Sequence, residues 1–269
     1  MSSPNTNLNF RRESVRKEGS EVSAISPSLQ PNWRDSPQLD VRLLGTVDFE
    51  SAQFLLERSV YEISGRGDRF GSLFLCEHPP LITVGRAGSR AHVLLEQKEL
   101  SARGLQVRWL NRGGGCLVHA PGQLAVYPVV PLQRLGLGLS DYRTALVGSV
   151  LDLCGELGIT ASPLEGNPSV VAGRGGAFAF VGAAVKRWVA YQGLFVNVHP
   201  LLHLQRLVSL GGDLRPTSLQ ALRGRAISMS AVRESLIRNL ARRLGYAEYQ
   251  IFTGHPLLVR TRRVTNVYA

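Results

Sequence analysis

The residues with the most chemical potential gather in one stretch, 111–128, which reads Asn-Arg-Gly-Gly-Gly-Cys-Leu-Val-His-Ala-Pro-Gly-Gln-Leu-Ala-Val-Tyr-Pro. Gly113, Gly114 and Gly115 strip the side chains from a loop that follows a fixed cation, Arg112. A thiol, Cys116, and an imidazole, His119, come next. Backbone without Cβ atoms lets N–H groups approach a ligand closely, so the stretch suits a wall of a binding site. A cysteine and a histidine can serve as nucleophile and base. At a spacing of three, however, alternation along a strand turns the two side chains to opposite faces. The plain alternative is a glycine-rich hairpin carrying a chance histidine.

Glu77 and His78 form a second polar pair where a strand leaves the core, but Pro79-Pro80 behind them equally marks a turn. The three cysteines, Cys76, Cys116 and Cys154, have no CxxC spacing, which argues against a disulfide framework or a cysteine-rich zinc site. No metal or cofactor is expected. The net charge of +11 first suggests nucleic acid, yet the positive residues are scattered and almost all arginine. Such a surface fits an acidic protein partner as well. No apolar run approaches the roughly 18 residues of a membrane span, and the start has no apolar signal core. A cytoplasmic protein without membrane or nucleic-acid contacts is therefore expected.

The elements that must position these residues alternate between helix and strand. Residues 1–38 are rich in Ser, Asn, Pro and charge and predict a disordered tail. A short strand is expected at 41–44, then a helix capped by Asp48 that ends at Ser64-Gly65. Strands follow at 72–76 and 81–84, a short helix at 94–103, and a strand at 105–110 that feeds the glycine loop. Beyond it come a strand at 123–131 and a helix from Ser140 to Gly158 whose apolar stripe includes Cys154, there as core packing. Residues 159–199 predict strands at 169–172, 177–185 and 188–198, and a last helix spans 230–244. This mixture favours one α+β domain over 39–250, with 251–269 as an extension.

The motifs together resemble the octanoyltransferase (lipoate-protein ligase B) family of the biotin and lipoate ligase fold. Residues 75–86, Leu-Cys-Glu-His-Pro-Pro-Leu-Ile-Thr-Val-Gly-Arg, are similar to the family's Leu-Glu-His-Pro-Pro and Thr-Gly-Arg segment. Residues 112–128 are similar to its Arg-Gly-Gly, His-Gly-Pro-Gly-Gln-Leu and Tyr-Pro signature. Residues 193–198 match its Gly-Leu-Ala-Leu-Asn-Val, and 217–219 its Thr-Ser-Leu. The resemblance covers about residues 40–245 and implies a mixed sheet flanked by helices. It also implies octanoyl transfer from octanoyl-acyl carrier protein, through a cysteine thioester, to the lysine of a lipoyl domain. The partners would be octanoyl-acyl carrier protein and the lipoyl domains of 2-oxoacid dehydrogenases or the glycine cleavage H protein, acting on a monomer. The substrate wall would be Arg112, Gly113, Gly114, Gly115, Cys116, Leu117, Val118 and His119, with Phe180, Val181, Gly182, Gly193, Leu194 and Phe195.

Five positions depart from the family pattern. Its activating lysine falls at Ala177, its cysteine at Leu210 or Gly211, its later histidine at Gln192, and the threonine and aromatic residue before the loop histidine are Leu117 and Val118. Three readings stay open: an octanoyltransferase whose nucleophile has moved to Cys116 with His119 beside it, a catalytically inactive homologue that binds an acyl chain, carrier protein or lipoyl domain, and an adenylating ligase. The last needs a catalytic lysine that Ala177 removes.

Overall fold

The computed structural model describes residues 37–258, and the predicted tail over 1–36 and the stretch 259–269 lie outside them. In chain order the elements are β1 (Gln38–Thr46), α1 (Phe49–Ser64), β2 (Gly71–Glu77), β3 (Leu81–Val84), a 3-10 turn (Arg90–His92), α2 (Gln97–Ala102), β4 (Val107–Trp109), β5 (Cys116–His119), β6 (Gln123–Pro131), α3 (Leu132–Leu135) and α4 (Leu139–Leu157). They continue with β7 (Ala161–Leu164), β8 (Asn167–Gly173), β9 (Gly176–Lys186), β10 (Val189–Asn197), α5 (Leu202–Gln205), α6 (Leu219–Arg223), α7 (Met229–Arg243) and β11 (Glu248–Thr253).

Eight strands build one mixed sheet in the order β11-β1-β2-β6-β10-β9-β8-β7. The first three are parallel and the rest antiparallel. Its central strand β6 is buried at every position, which is why it reads as a continuous apolar run with no alternation. Helices α4 and α7 pack on one face, where Leu146, Val150, Leu236 and Leu240 meet Val126, Leu194 and Val196. Helix α1 covers the other face and sets Leu55, Leu56 and Ile63 against Phe74, Ala125 and Phe195. Asp48 accepts from the Ser51 N–H and caps α1, and Gly158 closes α4 in the left-handed region. Cys154 is core packing on α4, as its stripe predicts.

A second, three-stranded sheet, β4-β3-β5, carries the glycine loop. Gly193 belongs to β10 because a Cβ there would stand 2.3 Å from the Val126 carbonyl, so glycine lets the two central strands meet. The helix expected over 94–103 is shorter, since Val93 and Leu95 turn inward from an extended segment between the 3-10 turn and α2. The boundary expected at 250 falls inside β11, which pairs with β1 from Gln38 to Leu43 and extends the domain past that point. Among the described residues, no helix is long and apolar enough to cross a membrane.

Candidate functional site

Between the two sheets, the glycine loop is laced to the turn that follows β3. Gly85, Arg86 and Ala87 donate their N–H groups to the carbonyls of Gly115, Arg112 and Gly114, at 3.1, 2.9 and 3.0 Å. Gly113 donates to the Ala183 carbonyl at 2.8 Å and ties the loop to β9. With its carbonyls turned to that lacing, the loop leaves the N–H groups of Gly114 and Gly115 without a hydrogen bond among the described residues.

Those two glycines border a cavity of about 280 Å3, at the lower end of the range that holds small ligands. Arg112, Cys116, Leu117, Phe180 and Val181 also line it, as expected, and Leu210, Leu214 and Val170 add apolar surface. Polar groups come from His92, Asn167, Ser169 and Ser209. A larger groove of about 710 Å3 runs between the ends of β1 and β11, but none of the glycine-loop residues lines it.

Arg112 is 1% exposed and acts as a pillar of the loop. Its guanidinium donates to the Gly113 carbonyl at 2.9 Å, the Thr83 carbonyl at 3.1 Å and Thr83 Oγ1 at 2.7 Å. Gly85 and Gly182 form the slot it fills, since Cβ atoms there would come within 2.8 Å of Nη1 and 3.1 Å of Cδ. Burial pushes its pKa down to about 10, which leaves it charged at neutral pH. Thr83 Oγ1 accepts from Arg112 and lies within hydrogen-bond distance of His119 Nε2, at 2.8 Å. His119 Nδ1 has no hydrogen-bond partner among the described residues.

The Cys116 and His119 pair expected from their spacing is not formed, for the reason strand alternation gives. Cys116 and Val118 pack with Ile82 and Val84 on one face of β5. Leu117 turns to the other face, where His119 stacks against Phe195 at 4.9 Å and Phe49 at 5.8 Å. Burial, reinforced by the charges of His78 and Arg112, holds the His119 pKa well below the usual histidine value. It is a neutral core histidine off the cavity, not the base for Cys116. Val118, Gly182, Gly193, Leu194 and Phe195 likewise support the site from behind, and Gly113 anchors its loop; none of them borders the cavity.

The Cys116 sulfur, 3% exposed, donates to the Ser89 carbonyl at 3.5 Å. Burial raises its pKa despite that contact and the charge of Arg112, so the group is a thiol at neutral pH. His78, read as a turn residue from its prolines, is instead buried, donating through Nδ1 to the Val47 carbonyl at 2.8 Å and accepting from the Tyr127 hydroxyl at 2.8 Å. Glu77 accepts from the Gly122 N–H at 2.8 Å and holds the Pro-Gly turn after β5. Both are scaffold.

Some of the substituted positions meet in one apolar cluster, and others do not. Ala177 is buried and clamped through its backbone to Arg215 and Thr217, and its side chain belongs to an apolar cluster that also receives Leu210 and Leu214. Gly211 has φ +92°, a conformation strained for any other residue, and its neighbour Leu210 presents an apolar side chain to the cavity. Lys186, the nearest lysine in sequence, is exposed at the β9–β10 turn. Gln192 bonds Gln53 of α1, away from the cavity. His92, Asn167, Ser169 and Ser209 were missed from sequence, because they reach the cavity from three separate segments with no common spacing.

Comparison with known proteins agrees with this architecture. The model of the lipoyl protein ligase A/B catalytic domain matches residues 51–241. An octanoyltransferase of Maridesulfovibrio salexigens is 32% identical over 186 residues, 68% of this chain and 86% of its own. One of Syntrophobacter fumaroxidans is 36% identical over 173 residues, 64% and 75% of the two chains. Among solved structures, a bi-partite lipoate protein ligase studied with its E2 lipoyl domain from Thermoplasma acidophilum superposes with a TM-score of 0.62 at 17% identity, over 82% of this chain and 89% of that one. At that identity the likeness is one of fold.

Proposed function

We propose, for a chain that belongs to the lipoyl protein ligase A/B catalytic domain family, that it is an octanoyltransferase of lipoate biosynthesis and that Cys116 carries the octanoyl group between donor and acceptor. One observation supports this most: Cys116 is the cysteine on the wall of the cavity, beside two unbonded N–H groups and an apolar floor. The donor is the thioester of octanoyl-acyl carrier protein. The acceptor is the lysine of a lipoyl domain, of the kind found with the archaeal ligase.

The chain's own residues perform four tasks in this reading. Leu117, Val170, Phe180, Val181, Leu210 and Leu214 receive the hydrocarbon and exclude water. The Gly114 and Gly115 N–H groups donate hydrogen bonds to the carbonyl oxygen as negative charge develops on it. The Cys116 sulfur forms a bond to the carbonyl carbon while the bond to the carrier sulfur breaks, and the proton lost by Cys116 ends on the carrier thiol. The lysine amine then attacks the enzyme thioester, an amide forms, and the thiol is regenerated. The diffuse positive surface would favour encounter with acidic carrier domains. The protein is expected to act as a monomer in the cytoplasm.

Incubation with octanoyl-acyl carrier protein followed by intact mass measurement tests the reading. A mass gain of one octanoyl group, lost in Cys116→Ser and discharged by a lipoyl domain, is expected. No adduct, or one that persists in Cys116→Ser, overturns the assignment of Cys116. The raised pKa of Cys116 and the apolar residue at Ala177 favour the second reading, a homologue that binds the acyl carrier without transfer. It predicts tight binding of octanoyl-acyl carrier protein with no adduct.

A further inference from the structure

The cavity has a polar corner built by two short segments distant in sequence. Ser209 donates its N–H to the His92 carbonyl at 2.8 Å, and Leu94 donates to the Leu207 carbonyl at 2.9 Å. These bonds flank an antiparallel bridge between Val93 and Val208. Both valines are buried in one apolar cluster. Alternation places His92 and Ser209 together on the opposite side, and both line the cavity.

The imidazole of His92 is oriented by Ser89. The Ser89 N–H donates to His92 Nδ1 at 3.2 Å, while the Ser89 carbonyl receives the Cys116 thiol at 3.5 Å. A single residue thus holds the ring on one side and the sulfur on the other. Because Nδ1 accepts a hydrogen bond, the proton of the neutral ring sits on Nε2, and that atom has no hydrogen bond among the described residues. In this tautomer Nε2 cannot take the proton of Cys116. It can donate.

We propose that His92 is a catalytic residue whose Nε2–H donates a hydrogen bond to the carbonyl oxygen of the bound octanoyl thioester, together with the N–H groups of Gly114 and Gly115. The proposal rests on the acyl-site reading of the cavity and assigns it a side-chain donor. When sulfur attacks, the carbonyl π electrons move to oxygen and return as the carrier thiolate departs. A preplaced N–H lowers the energy of the state between, without changing protonation. Nothing in this step requires His92 to gain or lose a proton.

Two readouts test it on the full chain. In single-turnover acylation by octanoyl-acyl carrier protein, His92→Ala is expected to slow adduct formation by about 10²–10³-fold with little change in half-saturating donor concentration. His92→Gln, which retains a side-chain N–H, is expected to recover much of the rate. The second readout needs no transfer: in Cys116→Ser, the carbonyl stretch of ¹³C=O octanoyl-acyl carrier protein is expected to move to lower frequency on binding, and His92→Ala in that background to reverse part of the shift. A wild-type protein that forms no adduct refutes the transfer reading while the infrared arm still decides the role of His92. An unchanged carbonyl frequency in His92→Ala, or a rate loss that Gln leaves uncorrected, overturns the proposal.

Discussion

The lacing of the glycine loop to the turn after β3 predicts that Gly85→Ala disables the site although Gly85 itself does not line the cavity. Gly85 needs no unusual φ; what it needs is space. A Cβ there would stand 2.4 Å from the Gly114 carbonyl, 2.9 Å from the Gly113 carbonyl and 2.8 Å from Arg112 Nη1, where real contacts stay beyond 3.0 Å. Two of the three neighbours are backbone, and the third is a guanidinium fastened to Thr83. The loop must therefore back away by about half an ångström, because no rotamer change relieves the contact. Overpacking of this kind costs about 1–3 kcal/mol, and weakening the three lacing hydrogen bonds adds about 1 kcal/mol. A total of about 2–4 kcal/mol lowers the unfolding midpoint of a domain this size by roughly 5–15 °C. Calorimetry measures that change, and the acylation assay measures the displaced Gly114 and Gly115 donors. Gly155→Ala on α4 is the control, since its Cβ meets nothing within 4 Å and alanine favours a helix. A Gly85→Ala protein that melts with the wild type and keeps its acylation rate would refute the reasoning.

Arg112→Lys is expected to cost about 2–4 kcal/mol in denaturant titration, because a single ammonium cannot reach both Thr83 and Gly113 and leaves buried carbonyls unpaired. Acid should destabilise the protein through its buried histidines. Burial lowers His78 from the usual 6.5 to about 4, so the unfolded chain binds the extra proton between these values; the contribution is present above pH 6.5 and lost as pH falls toward 4. That drop corresponds to about 3 kcal/mol, and His119 shifts in the same direction. Denaturation midpoints between pH 7 and pH 4 should fall steeply in the wild type and less steeply in His78→Gln. Equal slopes in the two proteins would remove His78 from the account.

The parts of the fold visible in sequence were those where burial follows a period. Helices α1, α4 and α7 show their apolar stripes, and β2, β3 and β6 show unbroken apolar runs. Strand β11 showed nothing of the kind, because five of its six residues are exposed and it is held to β1 by backbone pairing along one edge. The glycine loop was legible because consecutive glycines leave few alternatives. Arg112 was misleading in one respect: beside those glycines it suggested a ligand contact alone, whereas most of its donors are committed to Thr83 and Gly113. That commitment depends on Gly85 and Gly182 leaving a slot, a relation between strands that no local spacing records.

The electrostatics of the cavity follow from what replaced the family's lysine and cysteine. Ala177 and Leu210 enter one apolar cluster, so neither position supplies a charge or a nucleophile. The cation that remains nearby, Arg112, has its charge shared among carbonyl and hydroxyl acceptors behind the wall and does not hold Cys116 as a thiolate. In the transfer proposed for Cys116, catalysis draws less on activation of the nucleophile and more on stabilisation of the oxygen that it charges. A site of that kind needs unbonded N–H groups on the cavity wall, and Gly114, Gly115 and His92 supply them. Restoring lysine at Ala177 is therefore a weaker route to higher activity than it would be in a relative that retains the cysteine, because the lysine would be buried among apolar side chains without a thiolate to pair with.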